Sequence, residues 1–207
     1  MKVGMIGSGN VGRSLTKAST QAGHSVAISA ASREDAEKLS REVGGTAAGS
    51  NAKAVEGADI VILAVPFDAV DGIVRELGSG LDGKVLIDVT NKFEPAQLDG
   101  PSNAERTQQM APNARVVKAF NTVFAAKQSD PKVDGIQLDG FVAGDDPQAK
   151  ATVTEFVQSL GFKPIDAGPL AMARALEGMG MLNISLNMHN GWPWQTGWKL
   201  LGPTSPA

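Results

Sequence analysis

Short apolar runs recur along the chain at 3–6, 25–28, 60–65, 85–89, 116–120 and 141–143, with a weaker one at 164–167. They are rich in Val and Ile and continuous rather than alternating. Such runs suit strands covered on both faces, as in a parallel sheet, because a half-exposed strand would alternate apolar and polar residues. Between them lie stretches with helical spacing, clearest at 11–22, 33–43, 69–77 and 147–160. The last opens on Asp145, Asp146 and Pro147, a capping carboxylate and a first-turn proline, and closes at Gly161. This alternation predicts right-handed βαβ units and hence an α/β fold, a Rossmann-like doubly wound parallel sheet.

Two segments depart from the pattern. The polar, turn-rich stretch 128–139 reads as a surface loop. After Glu177 the only charged side chain is Lys199, while Trp192, Trp194 and Trp198 fall close together. An uncharged, Trp-bearing tail is expected to cover something: a substrate pocket, a second subunit or the sheet itself. Met172, Met179, Met181 and Met188 fit that role and fit ordinary core filling equally. The expected organisation is a dinucleotide-binding domain over 1–170 and a short helical, Trp-rich extension over 171–207 that shapes the substrate cleft, a dimer contact or both.

Composition narrows the chemistry. A chain of 207 residues is long enough for a real core. Its net charge of −3 offers no basic excess for nucleic acid or an anionic membrane. With no Cys, thiolate metal sites and thiol nucleophiles are excluded; with no Tyr, so is a phenolic acid. Only His24 and His189 remain as imidazoles, without metal-ligand spacing, so no metal site is expected. The longest apolar run, 60–67, is too short to span a bilayer, and the N-terminus enters a glycine loop before any signal-peptide core forms. A soluble, cytoplasmic protein is expected.

The chemistry is concentrated at strand ends. Gly7, Ser8, Gly9, Asn10, Val11 and Gly12 form G-x-G-x-x-G between a strand and a helix. Gly7 allows the tight turn, Gly9 lets a pyrophosphate approach the backbone, and Gly12 lets helix and strand pack closely. The alternative is a glycine-rich turn without a ligand. An NAD site calls for an acidic side chain at the end of the second strand. Ser32 and Arg33 stand there instead, a hydroxyl and a guanidinium suited to the 2′-phosphate of NADP(H). Otherwise Arg33 is a solvated surface charge. Pro66 stops the next strand where the nicotinamide ribose would lie, and Thr90 and Asn91 follow the one after. Asp88 reads as a structural acceptor for backbone N–H groups rather than as an acid catalyst.

Taken together, the glycine loop, the Ser32–Arg33 pair, Ala64-Val65-Pro66-Phe67, Lys118-Ala119-Phe120-Asn121-Thr122, and the stretch from Asp166 through Pro169 and Leu170 to Arg174 and Glu177 resemble a known family. It is the NADPH-dependent reductases of the deazaflavin coenzyme F420, and the likeness covers nearly the whole chain. The resemblance implies a Rossmann-like domain that binds NADP(H), with the deazaflavin stacked on the nicotinamide in a shallow cleft, in a homodimer. By position it implies that Ser8, Gly9, Asn10 and Val11 cradle the pyrophosphate and that Ser32 and Arg33 read the 2′-phosphate. Ala64, Val65 and Pro66 would border the nicotinamide ribose, while Asn121 and Thr122 would face the acceptor. One departure is Glu37, with Lys38 beside it, where the family's pattern has a basic residue.

Hydride transfer to a deazaflavin needs two rings held at reacting distance and no dedicated proton donor. The absence of Tyr and Cys suits that reaction, so no catalytic side chain is assigned. The alternatives are an NADPH-dependent reductase of a flavin, quinone or small carbonyl compound, and a non-catalytic NADP(H)-sensing module. β-Hydroxyacid and pyrroline-carboxylate reductases share the loop but append a long helical domain, for which too little chain remains.

Overall fold

Continuous Val- and Ile-rich runs form the centre of a mixed sheet because both of its faces are covered. A computed structural model describes residues 1–91 and 100–204. In chain order the elements are β1 (Lys2–Ile6), α1 (Asn10–Gln21), β2 (Ser25–Ser29), α2 (Arg33–Val43), β3 (Thr46–Ala47), α3 (Asn51–Val55), β4 (Ile60–Leu63), α4 (Phe67–Leu77) and β5 (Val85–Asp88). There follow α5 (Asn103–Met110), β6 (Arg115–Ala119), α6 (Ala125–Gln128), β7 (Lys132–Val133), β8 (Ile136–Gln137), β9 (Asp139–Gly144), α7 (Pro147–Ser159), β10 (Lys163–Gly168) and α8 (Ala173–Asn190). The eight-stranded sheet has the order β10-β9-β6-β5-β4-β1-β2-β3.

Successive strand residues point to opposite faces, and each face has its own core. Met5, Ile62 and Ile87 join Leu15 of α1, Leu39 of α2 and Phe156 of α7. Ile6, Leu63 and Leu86 join Val70 and Val74 of α4 and Ala104 of α5. That two-sided burial is why these strands carry no polar alternation. Strands β2 and β4 lie on either side of β1, so the chain changes direction across the sheet there. The carboxyl ends beside β1 are where open α/β sheets bind their ligands.

The parallel arrangement expected from the sequence holds from β3 through β6. It stops at β9, which pairs with β6 antiparallel. A parallel return needs a crossover of a dozen or more residues, usually a helix that spans the sheet. Between β6 and β9 the chain supplies only the four-residue α6 and the hairpin of β7 and β8, so it turns back where it stands. Phe120, at φ 63°, begins that turn. Helix α7 then carries the chain across to β10, which runs parallel to β9.

The stretch 128–139 is therefore only partly a surface loop. It holds the β7–β8 hairpin, and it ends in buried Leu138 and Asp139, the latter 0% exposed. Asp139 anchors the C-terminal tail: its carboxylate accepts from Lys199 Nζ at 2.7 Å and from the Leu200 N–H. Its own N–H donates to the Trp198 carbonyl at 3.1 Å. The extension expected over 171–207 consists of α8 and this returning tail, described as far as residue 204; residues 205–207 lie outside the described chain. Among the described residues no helix is long and apolar enough to cross a membrane.

Candidate active site

The glycine loop follows β1 directly, and each glycine is required for a different reason. Gly7 lies at φ 117°, and a Cβ on it would sit 2.1 Å from the Ala64 carbonyl oxygen. A Cβ on Gly12 would sit 2.1 Å from the Gly7 carbonyl oxygen, so α1 can pack on the loop only through a glycine. Gly9 differs from both, because nothing lies within 4 Å of where its Cβ would be. The space above Gly9 is open.

Gly9 also caps α1, and it does so without a side-chain hydrogen bond or an acidic residue in the first turn. Helices α2, α3, α5 and α7 are each capped by a side chain: Ser32, Ser50, Ser102 and Asp146. The first N–H groups of α1 therefore keep their hydrogen-bonding capacity and the positive end of the helix dipole, as an anion site needs. An open cradle over an uncapped twelve-residue helix fits a dinucleotide pyrophosphate.

A cleft of about 430 Å³ opens at this point. Gly7, Ser8, Gly9, Asn10 and Val11 form one wall, with Ala31 at the end of β2. Ala64, Val65, Pro66 and Phe67 follow β4, and Val89, Thr90 and Asn91 follow β5. Of the strand-end residues named from the sequence, the glycine loop, Ala64, Val65, Pro66, Thr90 and Asn91 meet in this cavity, whereas Ser32, Arg33, Asn121 and Thr122 are not among the residues that line it. Gly12 lies beneath the loop and serves packing.

Ser32 and Arg33 stand just past Ala31, at the start of α2. Ser32 Oγ caps the helix by accepting from Asp35 N–H at 3.1 Å and donates to Asp35 Oδ2 at 2.7 Å. The Arg33 side chain is 80% exposed, with Nε 2.7 Å from Glu37 Oε1. Glu37, the departure noted in the sequence, is therefore the arginine's partner. An exposed i,i+4 pair is worth only about 0.3–0.5 kcal/mol, so a phosphate dianion competes with it readily.

Asn121 and Thr122 are 6% and 3% exposed and lie beneath the cleft wall rather than on it. Asn121 Nδ2 donates to Asn91 Oδ1 at 2.9 Å, and Asn91 Nδ2 donates back to the Asn121 carbonyl at 2.8 Å. Asn121 Nδ2 also reaches the Leu176 carbonyl on α8 at 2.8 Å. These amides brace the wall and tie it to the extension. Asp88 is the structural acceptor expected, taking hydrogen bonds from the Thr90 N–H and hydroxyl at 2.8 Å each.

Sequence reasoning gave Lys118 and Glu177 no role. Lys118 is wholly buried and bonded to both Asp88 and Glu177. Burial pushes the Glu177 carboxyl above its ordinary value against the pull of the Lys118 ammonium. The missed signal was a lysine in the middle of an apolar run, since lysine is almost never fully buried unless paired. His24 lies 3.1 Å from the N-terminal amine through Nδ1, and His189 is exposed in the last turn of α8. No cluster of three or more His, Cys, Asp or Glu side chains able to hold a metal occurs among the described residues.

A glycine cradle at the switch point of a doubly wound sheet defines a Rossmann-type dinucleotide-binding protein. Residues 2–92 match the family described as NADP oxidoreductase, coenzyme F420-dependent. The F420-dependent NADP reductase of Methanothermobacter marburgensis is 31% identical over 215 aligned positions, covering 92% of this chain and 94% of that protein. The chain belongs to this family of NADP-dependent oxidoreductases. Metalloreductase STEAP3 of Rattus norvegicus is 34% identical over 178 residues, 85% of this chain. The chain spans only 36% of that protein's length and 37% of the human metalloreductase STEAP2. Among solved structures, a candidate F420-dependent NADP reductase from Arthrobacter sp. superimposes with a TM-score of 0.83 at 27% identity, over 94% of this chain and 96% of that one. An imine reductase from Streptomyces aurantiacus, 18% identical with a TM-score of 0.70, covering 93% of this chain and 64% of that one, shares the fold.

Proposed function

We propose that this protein passes a hydride between NADP(H) and a deazaflavin of the coenzyme F420 type, and that it works as a cytoplasmic homodimer. The observation that carries the reading is the likeness to an F420-dependent NADP reductase over 92% of this chain and 94% of that one. Gly9 and the first-turn N–H groups of α1 would hold the pyrophosphate, and Ser32 and Arg33 the 2′-phosphate. Ala64, Val65 and Pro66 would border the nicotinamide ribose, with Thr90 and Asn91 as the far wall. When bound, NADP(H) supplies the hydride, and the acceptor takes up two electrons and one hydrogen together. The chain's own task is then to orient two rings and keep water out. The described residues that line the cleft carry no ionisable side chain, which suits a reaction needing no proton donor. The dimer reading rests on α8, whose outward Leu182, Leu186 and Met188 are 50%, 36% and 69% exposed.

A second reading, reduction of a flavin, a quinone or another small acceptor, draws on the metalloreductase relatives, which match 85% to 92% of this chain. The deciding experiment is NADPH consumption by the purified protein with coenzyme F420, beside FMN and a control without acceptor. Turnover that requires F420 is expected. Turnover with FMN alone selects the second reading. NADPH binding with no turnover on any acceptor would overturn both and leave a sensing module.

A further inference from the structure

A single ammonium organises the far wall of the cleft. The Lys118 side chain is 0% exposed, and its three N–H bonds meet three acceptors. These are Asp88 Oδ1 at 3.1 Å, Glu177 Oε1 at 2.8 Å and the Thr90 carbonyl oxygen. Asp88 Oδ1 also takes the Thr90 N–H and hydroxyl, so every polar group of Thr90 is held from below. The Thr90 hydroxyl in turn accepts from Asn103 Nδ2 at 3.0 Å. Glu177 Oε1 takes the Asn103 N–H at 3.0 Å and so joins α8 to the start of α5. One turn further along α8, a Cβ on Gly180 would lie 2.8 Å from Asn91 Oδ1 and 3.0 Å from the Asn121 carbonyl oxygen. Helix α8 thus meets this wall twice, through a charge network and through a close approach.

The other end of the cleft stands on different supports. The glycine loop rests on β1 and α1, and Ser32 and Arg33 rest on β2 and α2. Among the described residues, none of the hydrogen bonds of Lys118, Asp88 and Glu177 reaches them.

We propose that Lys118, Asp88 and Glu177 are positioning residues for the nicotinamide end of the dinucleotide. They hold the Thr90–Asn91 peptide in one orientation and make that orientation depend on the seating of α8. The extension is thereby part of the nucleotide site without lining it. The inference rests on the dinucleotide reading of the cleft.

The test compares two ligands by calorimetry: NADPH and 2′-phospho-ADP-ribose, which keeps the whole dinucleotide except the nicotinamide. Glu177→Ala removes the acceptor shared by Lys118 and Asn103. It should weaken NADPH on the order of tenfold, as loss of a hydrogen bond to a charged group does, and leave 2′-phospho-ADP-ribose unchanged. Glu177→Gln retains an acceptor oxygen and should restore most of the NADPH affinity. Gly180→Ala presses on Asn91 without touching any charge and should show the same selective loss, so the test stands even if Glu177→Ala fails to fold. Equal losses for the two ligands in Gly180→Ala, or no loss of NADPH affinity, overturn the proposal. If the wild-type protein binds neither ligand, the dinucleotide reading fails first and takes this inference with it.

Discussion

The central strands and the last helix achieve burial by opposite means. Every residue of β4 and β5 is buried, and alternate side chains of each strand enter the cores on the two faces. Helix α8 turns the rule round. Its fold-facing stripe is Ala173, Leu176, Gly180, Asn183 and Asn187, whereas Leu182, Leu186 and Met188 are exposed. Asn187 is tolerated inside because its Nδ2 reaches Thr196 Oγ1 at 2.6 Å and the Asn183 carbonyl at 2.8 Å. Thr196 Oγ1 in turn donates to Asn183 Oδ1 at 2.7 Å, which locks the tail to the helix. Gly180 is inside because two asparagines leave no room for more. The sheet is thus held by hydrophobicity, which many residues supply, and α8 by polar partners and close approach, which very few do.

The sharpest way to break this comparison uses two glycines three residues apart. Gly12→Val drives a side chain into the Gly7 carbonyl. It should cost about 3 kcal/mol, roughly 6–12 °C in Tm for a chain of this size. Gly9→Val meets only open space, so its Tm should match wild type while NADPH binding is lost. Thermal melts beside calorimetry read both effects, and a Gly12→Val protein that melts with wild type would contradict the packing role.

A smaller effect separates the two faces of α8. Asn187→Leu makes the buried stripe more apolar, yet it should cost about 1–3 kcal/mol because Thr196 and Asn183 lose a partner. Leu186→Glu on the outward face should change the stability of a single chain by less than about 0.5 kcal/mol. In the dimer proposed above it should also shift the mass in light scattering toward one chain. Urea denaturation at low protein concentration distinguishes these results, and a stabilised Asn187→Leu would show that the polar stripe is dispensable.

At the other end of the cleft, Arg33→Ala should weaken NADPH by about ten- to a hundredfold, as expected for a charge-assisted contact, and leave NADH unchanged. Equal losses for the two nucleotides would refute the 2′-phosphate role. The smallest effect concerns pH. Burial raises the native Glu177 carboxyl above its ordinary value of 4.5. Between that value and the raised native one the folded protein binds more protons than the unfolded chain, so stability falls as pH rises. Glu177→Gln lacks this proton. Its Tm relative to wild type should climb across the window and level off above it; a flat difference would place the carboxyl elsewhere.

Much of this was legible in the sequence because it depends on local signals. The runs at 3–6, 25–28, 60–65, 85–89 and 116–120 became strands, and 33–43 became α2, because apolar continuity and capping act over a few residues. The glycine loop and Ala64, Val65, Pro66 and Asn91 meet in one cleft because they follow β1, β4 and β5, adjacent parallel strands whose carboxyl ends share one edge of the sheet. What escaped depends on partners distant in the chain. The direction of β9 follows from a connection that has no helix long enough to cross the sheet. Asn121 turned inward because Asn91 and Leu176 accept its amide. Lys118 is buried because Asp88 and Glu177, 30 and 59 residues away, share its charge.

Under the proposed function, the fold works by holding two rings together rather than by proton chemistry. The most direct test uses NADPH carrying deuterium at both C4 positions, with coenzyme F420 as acceptor and the product read by mass spectrometry. Direct transfer predicts one deuterium on the reactive carbon of each reduced deazaflavin. A reduced deazaflavin carrying hydrogen from water at that carbon would contradict it.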